Sequence, residues 1–449
     1  MMGKYFGTDG FRGEANVTLT ADHAYRIGRF LGYIYRKESK RPQFLIGKDT
    51  RRSSDMFEGA ISAGLMASGA DVLRLGVVTT PAVAYLTRIH HAILGIMISA
   101  SHNSFADNGI KLINAEGEKE ESIIPALEAY LDGEERLPFA ILESIGTVRE
   151  VPFMIAAYEE ALRILPKGSC RGYAVGLDCA NGSTFRLARA AFEYLGATVT
   201  ALSTEPDGVN INRGCGSTHP EALRVLVREK GLDIGFAFDG DGDRCIVVDE
   251  KGEIADGDAL LYLFARFMKK NGLLRHDGVV CTVMSGLGLT ESLRRVGIDT
   301  ATVDVGDKHV WERMRSEGFS LGGEQAGHII LADHMTTGDG ILTAVYTMGV
   351  LLREGRGLHA LLAGFERFPQ MLKNIRVDDK NAVLSDAAVC ESLELARRKM
   401  MAEGRILLRA SGTEPVVRIM AEAKEMALCR ECITMVEDAV LAMQKKEQV

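Results

Sequence analysis

The sequence has no apolar run long enough to cross a membrane. Its longest uncharged apolar stretch covers residues 341–352, whereas a membrane-spanning helix needs roughly 18 to 20 apolar residues. The opening residues, MMGKYFGTDG, also lack the charged and then apolar layout of a secretion signal. We therefore expect neither secretion nor a membrane partner.

An excess of positive charge is also missing. The chain carries 53 Lys and Arg residues against 61 Asp and Glu residues, which gives a formal net charge of −8. Proteins that neutralise nucleic-acid phosphates or anionic lipids need a positive excess. We therefore expect no nucleic-acid partner, and any anion has to be bound by a local site.

The eight cysteines show no framework of pairs. Cys429 and Cys432 form a C-x-x-C, but it lies in a helical pattern without a second pair or a preceding strand. Neither a disulfide framework nor a zinc site is predicted. A reducing cytoplasm fits this cysteine usage best.

Periodic apolar segments are abundant. The 449 residues, of which 46% are hydrophobic and 25% charged, suffice for about three globular domains. An apolar strand, a small-residue turn, an amphipathic helix and a second strand recur at residues 44–76, 173–202 and 278–306. Each copy predicts a β-α-β unit, so we expect three α/β domains on one plan, with sheets that are parallel in part.

The character of the chain changes after residue 368. A strand at 374–377, a helix at 385–403, two strands within 405–421 and a last helix from about residue 427 predict a small α+β domain. The predicted fold class is α/β, with three similar mixed α/β domains and a smaller C-terminal α+β domain. The predicted domains are residues 1–152, 153–256, 257–368 and 369–449.

The segment FDGDGDR, residues 238–244, is the densest chemical signal. It places Asp239, Asp241 and Asp243 on alternate positions between two predicted strands. Three carboxylates separated by glycines suit a hard cation such as Mg²⁺. A calcium EF-hand needs a glycine where Arg244 stands, so a solvated acidic turn is the stronger alternative. The arginine beside the carboxylates suggests that an anion joins the metal.

A second segment, GIMISASHNSFADNGIKLI, covers residues 95–113. An apolar strand ends here at Ser101, which His102 and Asn103 follow. Catalytic groups of α/β domains commonly lie at the carboxyl ends of strands. Ser101 is therefore a candidate nucleophile, with a polar turn as the alternative. The G-x-S-x-G motif of hydrolases is absent.

The segment LRASGTEPVVRIMAE, residues 408–422, suits a phosphate dianion. Its turn offers hydroxyl groups and backbone N–H groups between two arginines, and an ordinary hairpin is the alternative. The candidate phosphate ligands are Arg409, Ser411, Gly412, Thr413 and Arg418.

Two glycine-rich loops complete the pattern. The segment GGEQAGHII, residues 322–330, carries Glu324, Gln325 and His328, which suit sugar hydroxyls, with a structural turn as the alternative. The segment FGTDGFRG, residues 6–13, indicates tight backbone near an anion.

These five segments, taken in their order along the chain, resemble those of the α-D-phosphohexomutase superfamily, and most closely its phosphoglucosamine mutase branch. The similarity covers the whole chain, and DGDGD, ASHN and RxSGTEP together are highly specific. The resemblance implies four domains around a central cleft. It also implies the interconversion of glucosamine 6-phosphate and glucosamine 1-phosphate, an isomerase reaction on the route to UDP-N-acetylglucosamine and cell-wall precursors.

The resemblance assigns a role to each matching residue. Ser101 is the phosphorylated serine and binds one Mg²⁺ with Asp239, Asp241 and Asp243, while Arg244 faces the phosphate. Glu324 and Gln325 contact the sugar, and Arg409, Ser411, Gly412, Thr413 and Arg418 hold the nonreacting phosphate. Arg12 and Lys111 lie near the reacting oxygens, and Lys111 and His328 are candidate general acids or bases.

Further expectations follow from the resemblance. They are a hexosamine phosphate as small-molecule partner, a glucose- or glucosamine-1,6-bisphosphate activator, a cytoplasmic location and compatibility with a homodimer. Two residues depart from the family pattern: Ser104 replaces a common proline and Ala326 a common serine. The alternatives are phosphoglucomutase or phosphomannomutase activity, or a silent sugar-phosphate sensor, which retention of Ser101 and the three aspartates disfavours.

Overall fold

Four β-sheets organise the part of the chain that this computed structural model describes. The described residues are 4–7, 9–133, 136–163, 168–401, 403–411 and 415–447. They divide into two compact units. The first contains the residues up to Met284 together with Gly297–Ala363, and the second contains Ser285–Val296 together with the residues from Gly364 onwards.

The first sheet has seven strands and four accompanying helices. Strands β1 to β7 are Phe6–Gly7, Gly10–Glu14, Gln43–Lys48, Asp71–Val77, Leu94–Ile98, Asp107–Ile113 and Val148–Glu150, and helices α1 to α4 are Ala21–Tyr35, Arg52–Ala67, Thr80–Ile89 and Ile124–Asp132. The strand order is β1-β2-β6-β5-β3-β4-β7. Strand β3 is parallel to β4 and β5, and its interior residues are buried, as is typical of a parallel strand covered on both faces.

The second sheet has five strands, and two of them flank the acidic loop. Helices α5 to α7 are Ile155–Arg163, Thr184–Tyr194 and Glu221–Lys230, and strands β8 to β12 are Ala174–Asp178, Thr198–Leu202, Ile234–Phe238, Cys245–Val248 and Ile254–Ala255. The strand order is β12-β11-β10-β8-β9. Because β10 and β11 are antiparallel neighbours, the loop between them turns sharply at the sheet's edge.

The third sheet has four strands in the order β14-β13-β15-β16. These strands, β13 to β16, are Gly278–Thr282, Asp299–Val303, Leu321–Gly323 and Ile329–Leu331, and helices α8 to α12 are Gly257–Lys270, Leu287–Arg295, Asp307–Glu317, Gly340–Glu354 and Leu358–Leu361. Asp339 is the N-cap of helix α11, and its carboxylate accepts the N–H of Leu342 at 2.9 Å. An N-cap of this kind satisfies a donor that the helix itself leaves free.

The fourth sheet has three antiparallel strands. Strands β17 to β19 are Gln370–Arg376, Gly404–Ala410 and Val416–Ala423, and helices α13 to α15 are Lys380–Ser385, Ala387–Met400 and Met426–Glu447. This sheet belongs to the second unit, which also includes α9. There the buried carboxylate of Glu422 accepts the N–H of Leu287 at 2.8 Å and pairs with Arg405 at 2.8 Å.

The predicted fold class is confirmed. Each of the three predicted β-α-β units forms a parallel pair of strands with a helix between them: β3 with β4, β8 with β9, and β13 with β14. The third differs in one respect, because its helix α9 groups with the second compact unit. Among the described helices, none has the length and apolar character needed to span a membrane.

Candidate active site

Ser101 lies in the turn between β5 and β6. Its side chain is almost fully buried, with 1% exposed, and its backbone has a φ of +51°. The hydroxyl donates a hydrogen bond to Asp239 Oδ2 at 2.6 Å, and Nδ1 of His102 lies 3.3 Å from the serine Oγ. A positive φ is unusual outside glycine and clusters at functional sites. The serine that the sequence singles out therefore contacts the acidic loop directly.

Three carboxylates meet on the loop between β10 and β11. Asp239, Asp241 and Asp243 are all buried, and one oxygen from each lies within 4.8 Å of the others. Gly242 at the turn has a φ of +72°, which favours glycine. Among the described residues, nothing donates a hydrogen bond to Oδ1 of Asp241 or of Asp243. Buried carboxylate oxygens without donors fit a hard cation such as Mg²⁺.

The charges at this loop are unbalanced. Burial, and next the charges of Asp243 and Asp241, raise the pKa of Asp239 well above its ordinary value. Burial also disfavours the charged form of Asp243, but the ammonium group of Lys111 and the nearby imidazole of His328 lower its pKa well below the usual range. Lys111 and Arg244 therefore compensate only part of the negative charge of three carboxylates, and a divalent cation would supply the rest.

Cationic side chains border the carboxylates. Lys111, on β6, places Nζ 2.5 Å from Asp241 Oδ2 and 3.6 Å from Asp243 Oδ2. Burial opposes its charge, but the two carboxylates raise its pKa, so it stays protonated. Arg244 donates its backbone N–H to Asp239 at 3.2 Å.

Arg12 lies on β2, opposite Gly109 of the neighbouring strand β6. Its guanidinium group is 3.4 Å from Asp9. Within the described part of the chain, Nε of Arg12 and Nε of Arg244 are buried without a hydrogen-bond acceptor. Two guanidinium groups with unused donors are suited to an incoming anion.

His102 is held in the neutral form. Burial lowers its pKa, and the nearby charges of Arg244 and Arg12 lower it further, to about 4. The histidine beside the candidate nucleophile is therefore uncharged near neutral pH, and the positive charges there are those of arginine and lysine.

The loop between β15 and β16, which belongs to the first unit, carries Glu324, Gln325 and His328. Glu324 Oε1 accepts the N–H of Gly306 at 3.0 Å. Gln325 is fixed through its backbone, since its carbonyl accepts the N–H of Gly257 at 2.9 Å. These contacts set the loop between β15 and β16 and leave the side chain of Gln325 half-buried.

His328 bridges two carboxylates. Nδ1 lies 3.8 Å from Asp243 and Nε2 lies 3.6 Å from Asp307. Burial disfavours a charge on its ring, whereas the two carboxylates favour one. The N–H of Gly338 decides between them, because it donates to Nε2 at 2.9 Å and a nitrogen that accepts a hydrogen bond carries no proton. The backbone N–H cannot rotate away, so we describe His328 as neutral with its proton on Nδ1.

A cavity of about 730 Å³ opens beside Lys111. Asp9, Lys119 and Lys308 are also among the residues that line it. This volume lies in the range of small-molecule sites.

The second unit holds the predicted phosphate ligands. Arg409 and Arg418 are directly opposite each other on β18 and β19. Burial, followed by the charge of Arg418, lowers the pKa of Arg409. Ser411 is buried at the end of β18, whereas Gly412 and Thr413 lie outside the described residues. Two like charges on facing strands repel each other, and a bound dianion would relieve this repulsion.

Sequence analysis missed several residues of the site. Thr80 donates its hydroxyl to Asp241 Oδ2 at 2.5 Å. Arg51 and Asn212 both contact the backbone of the Ser101 loop. Arg51 follows the strand β3 closely, so the strand-end rule that drew attention to Ser101 could have identified it. Asn212 lies in a segment without strand or helix periodicity and gives no such signal.

Four protein-family descriptions match successive parts of the chain. They are phosphoglucomutase/phosphomannomutase alpha/beta/alpha domain I at residues 3–136, domain II at 156–252, domain III at 256–368 and the C-terminal domain at 372–439.

Relatives match over nearly the whole length. A curated phosphoglucosamine mutase from Lachnospira eligens is 51% identical over 443 residues, which is 98% of each chain. One from Bacillus cytotoxicus is 47% identical over 443 residues, covering 98% of this chain and 99% of its own. The solved structure of a phosphoglucomutase/phosphomannomutase family protein from Burkholderia thailandensis superposes with a TM-score of 0.80 at 25% identity and covers 98% of both chains.

Proposed function

The chain belongs to the phosphoglucomutase/phosphomannomutase family, and from this premise we propose that it interconverts glucosamine 6-phosphate and glucosamine 1-phosphate. It is a phosphohexomutase, an isomerase of sugar metabolism. The contact between the Ser101 hydroxyl and Asp239, within a cluster of three buried carboxylates, carries the proposal. A nucleophile beside a cation site is what a phosphoryl-transfer enzyme requires.

The proposed reaction uses Ser101 as a temporary phosphate carrier. The bond between its Oγ and phosphorus breaks while a bond forms from the free sugar hydroxyl to phosphorus, which gives a 1,6-bisphosphate. The proton that the sugar hydroxyl loses balances the proton that the serine oxygen gains. This intermediate turns end for end, and its other phosphate returns to Ser101. The transition state is loose, with charge spread over three oxygens, so positioning and positive charge supply most of the catalysis. Lys111, Arg12 and Arg244 supply that charge.

Asp239, Asp241 and Asp243 would hold Mg²⁺ together with an oxygen of phosphorylated Ser101. When bound, the ion neutralises negative charge on the phosphoryl group in transfer. Lys111 is protonated and can donate a proton to the leaving oxygen. The general acid or base role of His328 stays a prediction, since both of its ring nitrogens face partners in this structure.

The remaining assignments concern the substrate. We propose that Glu324 and Gln325 contact the sugar and that the C-terminal domain holds the nonreacting phosphate. Its proposed ligands are Arg409, Ser411, Gly412, Thr413 and Arg418. The repulsion between the two facing arginines supports this assignment. The domain boundaries at about residues 152, 256 and 368 also remain our proposal.

The cellular setting is proposed on the same basis. We expect a cytoplasmic enzyme that acts on a small hexosamine phosphate, is activated by glucose- or glucosamine-1,6-bisphosphate and is compatible with a homodimer. The reducing location agrees with the cysteines, all eight of which are free thiols.

Two measurements test the proposal. Assays with glucosamine, glucose and mannose 6-phosphates at equal concentration should favour glucosamine 6-phosphate. Intact-mass spectrometry should detect one phosphate on the chain, which substrate removes, and Ser101→Ala should abolish both the adduct and turnover. Ser104→Ala, at an exposed serine of the same loop, is the matched control and should retain both.

The alternatives predict different results. Preference for glucose or mannose phosphate would show phosphoglucomutase or phosphomannomutase activity. Binding of sugar phosphates without an adduct or turnover would show a silent sensor. Full activity of Ser101→Ala would refute the nucleophile assignment.

A further inference from the structure

Two side chains from different domains donate hydrogen bonds to the backbone of the Ser101 loop, residues 99–106 between β5 and β6. Nη2 of Arg51 donates to the carbonyl oxygens of Ser101 and Asn103, each at 2.9 Å. Nδ2 of Asn212 donates to the same two oxygens, at 2.8 and 3.0 Å. The four hydrogen bonds therefore fix the peptide groups that follow the candidate nucleophile and leave its hydroxyl free to face Asp239.

Arg51 is itself immobilised. Its side chain and that of Asp49 are both 0% exposed, with Nε of Arg51 2.7 Å from Asp49 Oδ2. Its Nη1 donates to the carbonyl oxygens of Ser104 and Asp107. A buried guanidinium group is tolerated when its donors have acceptors, and here three of the acceptors are carbonyl oxygens of this one loop and a fourth belongs to Asp107, the first residue of β6.

The same ion pair also reaches the peptide group before the nucleophile. The N–H of Ser101 donates to Ser99 Oγ at 3.0 Å, and the hydroxyl of Ser99 donates to Asp49 Oδ2 at 2.7 Å. Both peptide groups that flank Ser101 are thus connected to Asp49 and Arg51. The positive φ of Ser101 is unfavourable by itself and persists only where surrounding contacts enforce it.

Asn212 comes from the domain that carries the carboxylates. Its own N–H donates to Ala180 O at 2.9 Å, and its φ is +57°. Gly240, between two of the aspartates, packs so closely that an added Cβ would lie 2.6 Å from Ser101 O and 2.9 Å from Asn212 Nδ2. Asn212 therefore lies where the serine loop and the acidic loop touch.

We propose that Arg51 and Asn212 are positioning residues for phosphoryl transfer. Together they donate hydrogen bonds to the carbonyl oxygens of Ser101 and Asn103 and so orient the serine hydroxyl towards the carboxylate cluster. Neither residue touches the reacting atoms. The inference rests on the proposed function, because it assumes that Ser101 carries the phosphoryl group. It adds a link between two domains, since the nucleophile keeps its place only while the asparagine of the second domain is seated.

Conservative variants of the full-length enzyme test the proposal. Arg51→Lys keeps the positive charge but replaces the planar guanidinium group, which donates from several nitrogens, with a single ammonium nitrogen. Asn212→Gly removes the donor while tolerating the positive φ. Asn212→Asp retains size and presents a carboxylate to two carbonyl oxygens. We expect kcat to fall about 10- to 100-fold in Arg51→Lys and Asn212→Gly, and further in Asn212→Asp, because small misplacements of reacting groups have effects of this size.

Three readouts separate positioning from a general loss of stability. KM should stay within about twofold of the wild-type value, since the residues proposed to bind substrate are untouched. Phosphorylation of Ser101 by glucose-1,6-bisphosphate, followed by intact mass, should slow in parallel with kcat. The effects of Arg51→Lys and Asn212→Gly should be less than multiplicative in the double variant, because the two residues share the same acceptors.

Arg29→Lys is the matched control. Arg29 is a buried arginine of the same domain that donates to carbonyl oxygens elsewhere, those of Ala67, Leu137 and Pro138. This variant should lower the melting temperature and leave kcat unchanged. Because both arginines are buried and bound to backbone, a loss of kcat from instability alone would appear in both lysine variants.

Several results would overturn the proposal. They are wild-type kcat and phosphorylation rate in Arg51→Lys and Asn212→Gly, or an equal loss of kcat in Arg29→Lys. If Arg51→Lys does not fold, Asn212→Gly alone decides. A wild-type enzyme without adduct or turnover on any hexose phosphate would instead refute the proposed function, so the two failures are distinguishable.

Discussion

The ammonium group of Lys111 lies 2.5 Å from Asp241 Oδ2, so the acidic loop already holds one positive charge before any metal binds. Thr80 donates to the same oxygen at 2.5 Å. The other oxygen, Oδ1, accepts no hydrogen bond from the described residues. Oδ2 of Asp241 therefore contacts protein groups, whereas Oδ1 can bind a cation.

The first prediction concerns this lysine. Lys111→Met should lower kcat by about 100-fold or more, since it removes a charge that stabilises the transferring phosphoryl group. The affinity for Mg²⁺ should not fall, because a cation beside the site repels the metal. Steady-state kinetics and calorimetric titration with Mg²⁺ measure the two effects. Weaker Mg²⁺ binding in the variant would contradict this view, and Lys111→Arg should restore part of the rate.

The second prediction concerns the metal ligands. Asp241→Asn should abolish both Mg²⁺ binding and turnover, because it replaces a charged ligand with a neutral one in a buried cluster. Asp249→Asn, at another buried aspartate of the same domain whose carboxylate accepts backbone N–H groups of a turn, should reduce stability and leave Mg²⁺ affinity intact. Calorimetry on both variants decides, and unchanged metal binding in Asp241→Asn would count against the site.

The third prediction concerns the facing arginines of the C-terminal domain. Arg418→Gln should lower kcat/KM, mainly through a higher KM, because a charge-assisted contact to phosphate is lost. The loss should correspond to about 2 to 3 kcal/mol of binding free energy. Without ligand, the same variant should be more stable by about 0.2 to 1 kcal/mol, because it removes the repulsion with Arg409. Kinetics and urea unfolding test the two halves. A changed kcat with an unaltered KM would contradict the phosphate role.

The fourth prediction concerns pH. The pKa of His102 is about 4 in the folded protein, against 6.5 for the ordinary side chain. The unfolded chain therefore binds this proton more tightly, and stability from this group is lost as the pH falls from 6.5 towards 4. The unphosphorylated wild type should lose up to about 3 kcal/mol relative to His102→Gln over that range. Urea unfolding at pH 7 and pH 4.5 measures it, and parallel losses in both proteins would refute the shift.

The elements of the fold were predictable where local chemistry decides them. Apolar runs that end in small-residue turns predicted all three β-α-β units, because this pattern depends on neighbouring residues. In the C-terminal domain, the helix predicted over 385–403 corresponds to α14, Ala387–Met400, whereas the short helix α13 before it is not predicted. The carboxylate of Asp386 accepts the N–H of Val389 at 3.0 Å and caps α14, a signal that the sequence contains.

The geometry of the site was less predictable. The motifs identified Ser101 and Asp239 separately, but 138 positions separate the two residues whose side chains meet at 2.6 Å. Such a contact depends on how two domains pack, which no local pattern encodes. The roles of Arg51 and Asn212 are not predictable from the sequence for the same reason. Their hydrogen-bond acceptors are backbone carbonyl groups, which every residue has.

The burial of Ser101 also restricts what can phosphorylate it first. A protein kinase could reach Ser101, which is 1% exposed, only if the loop moved out of the folded site. This movement would break the hydrogen bonds from Arg51 and Asn212, each worth about 1 kcal/mol. A donor small enough to enter the folded site avoids this disruption. On the proposed function, we therefore expect a metabolite rather than another protein to phosphorylate the folded enzyme first, so that its phosphorylation would follow the supply of sugar bisphosphate instead of a signalling cascade.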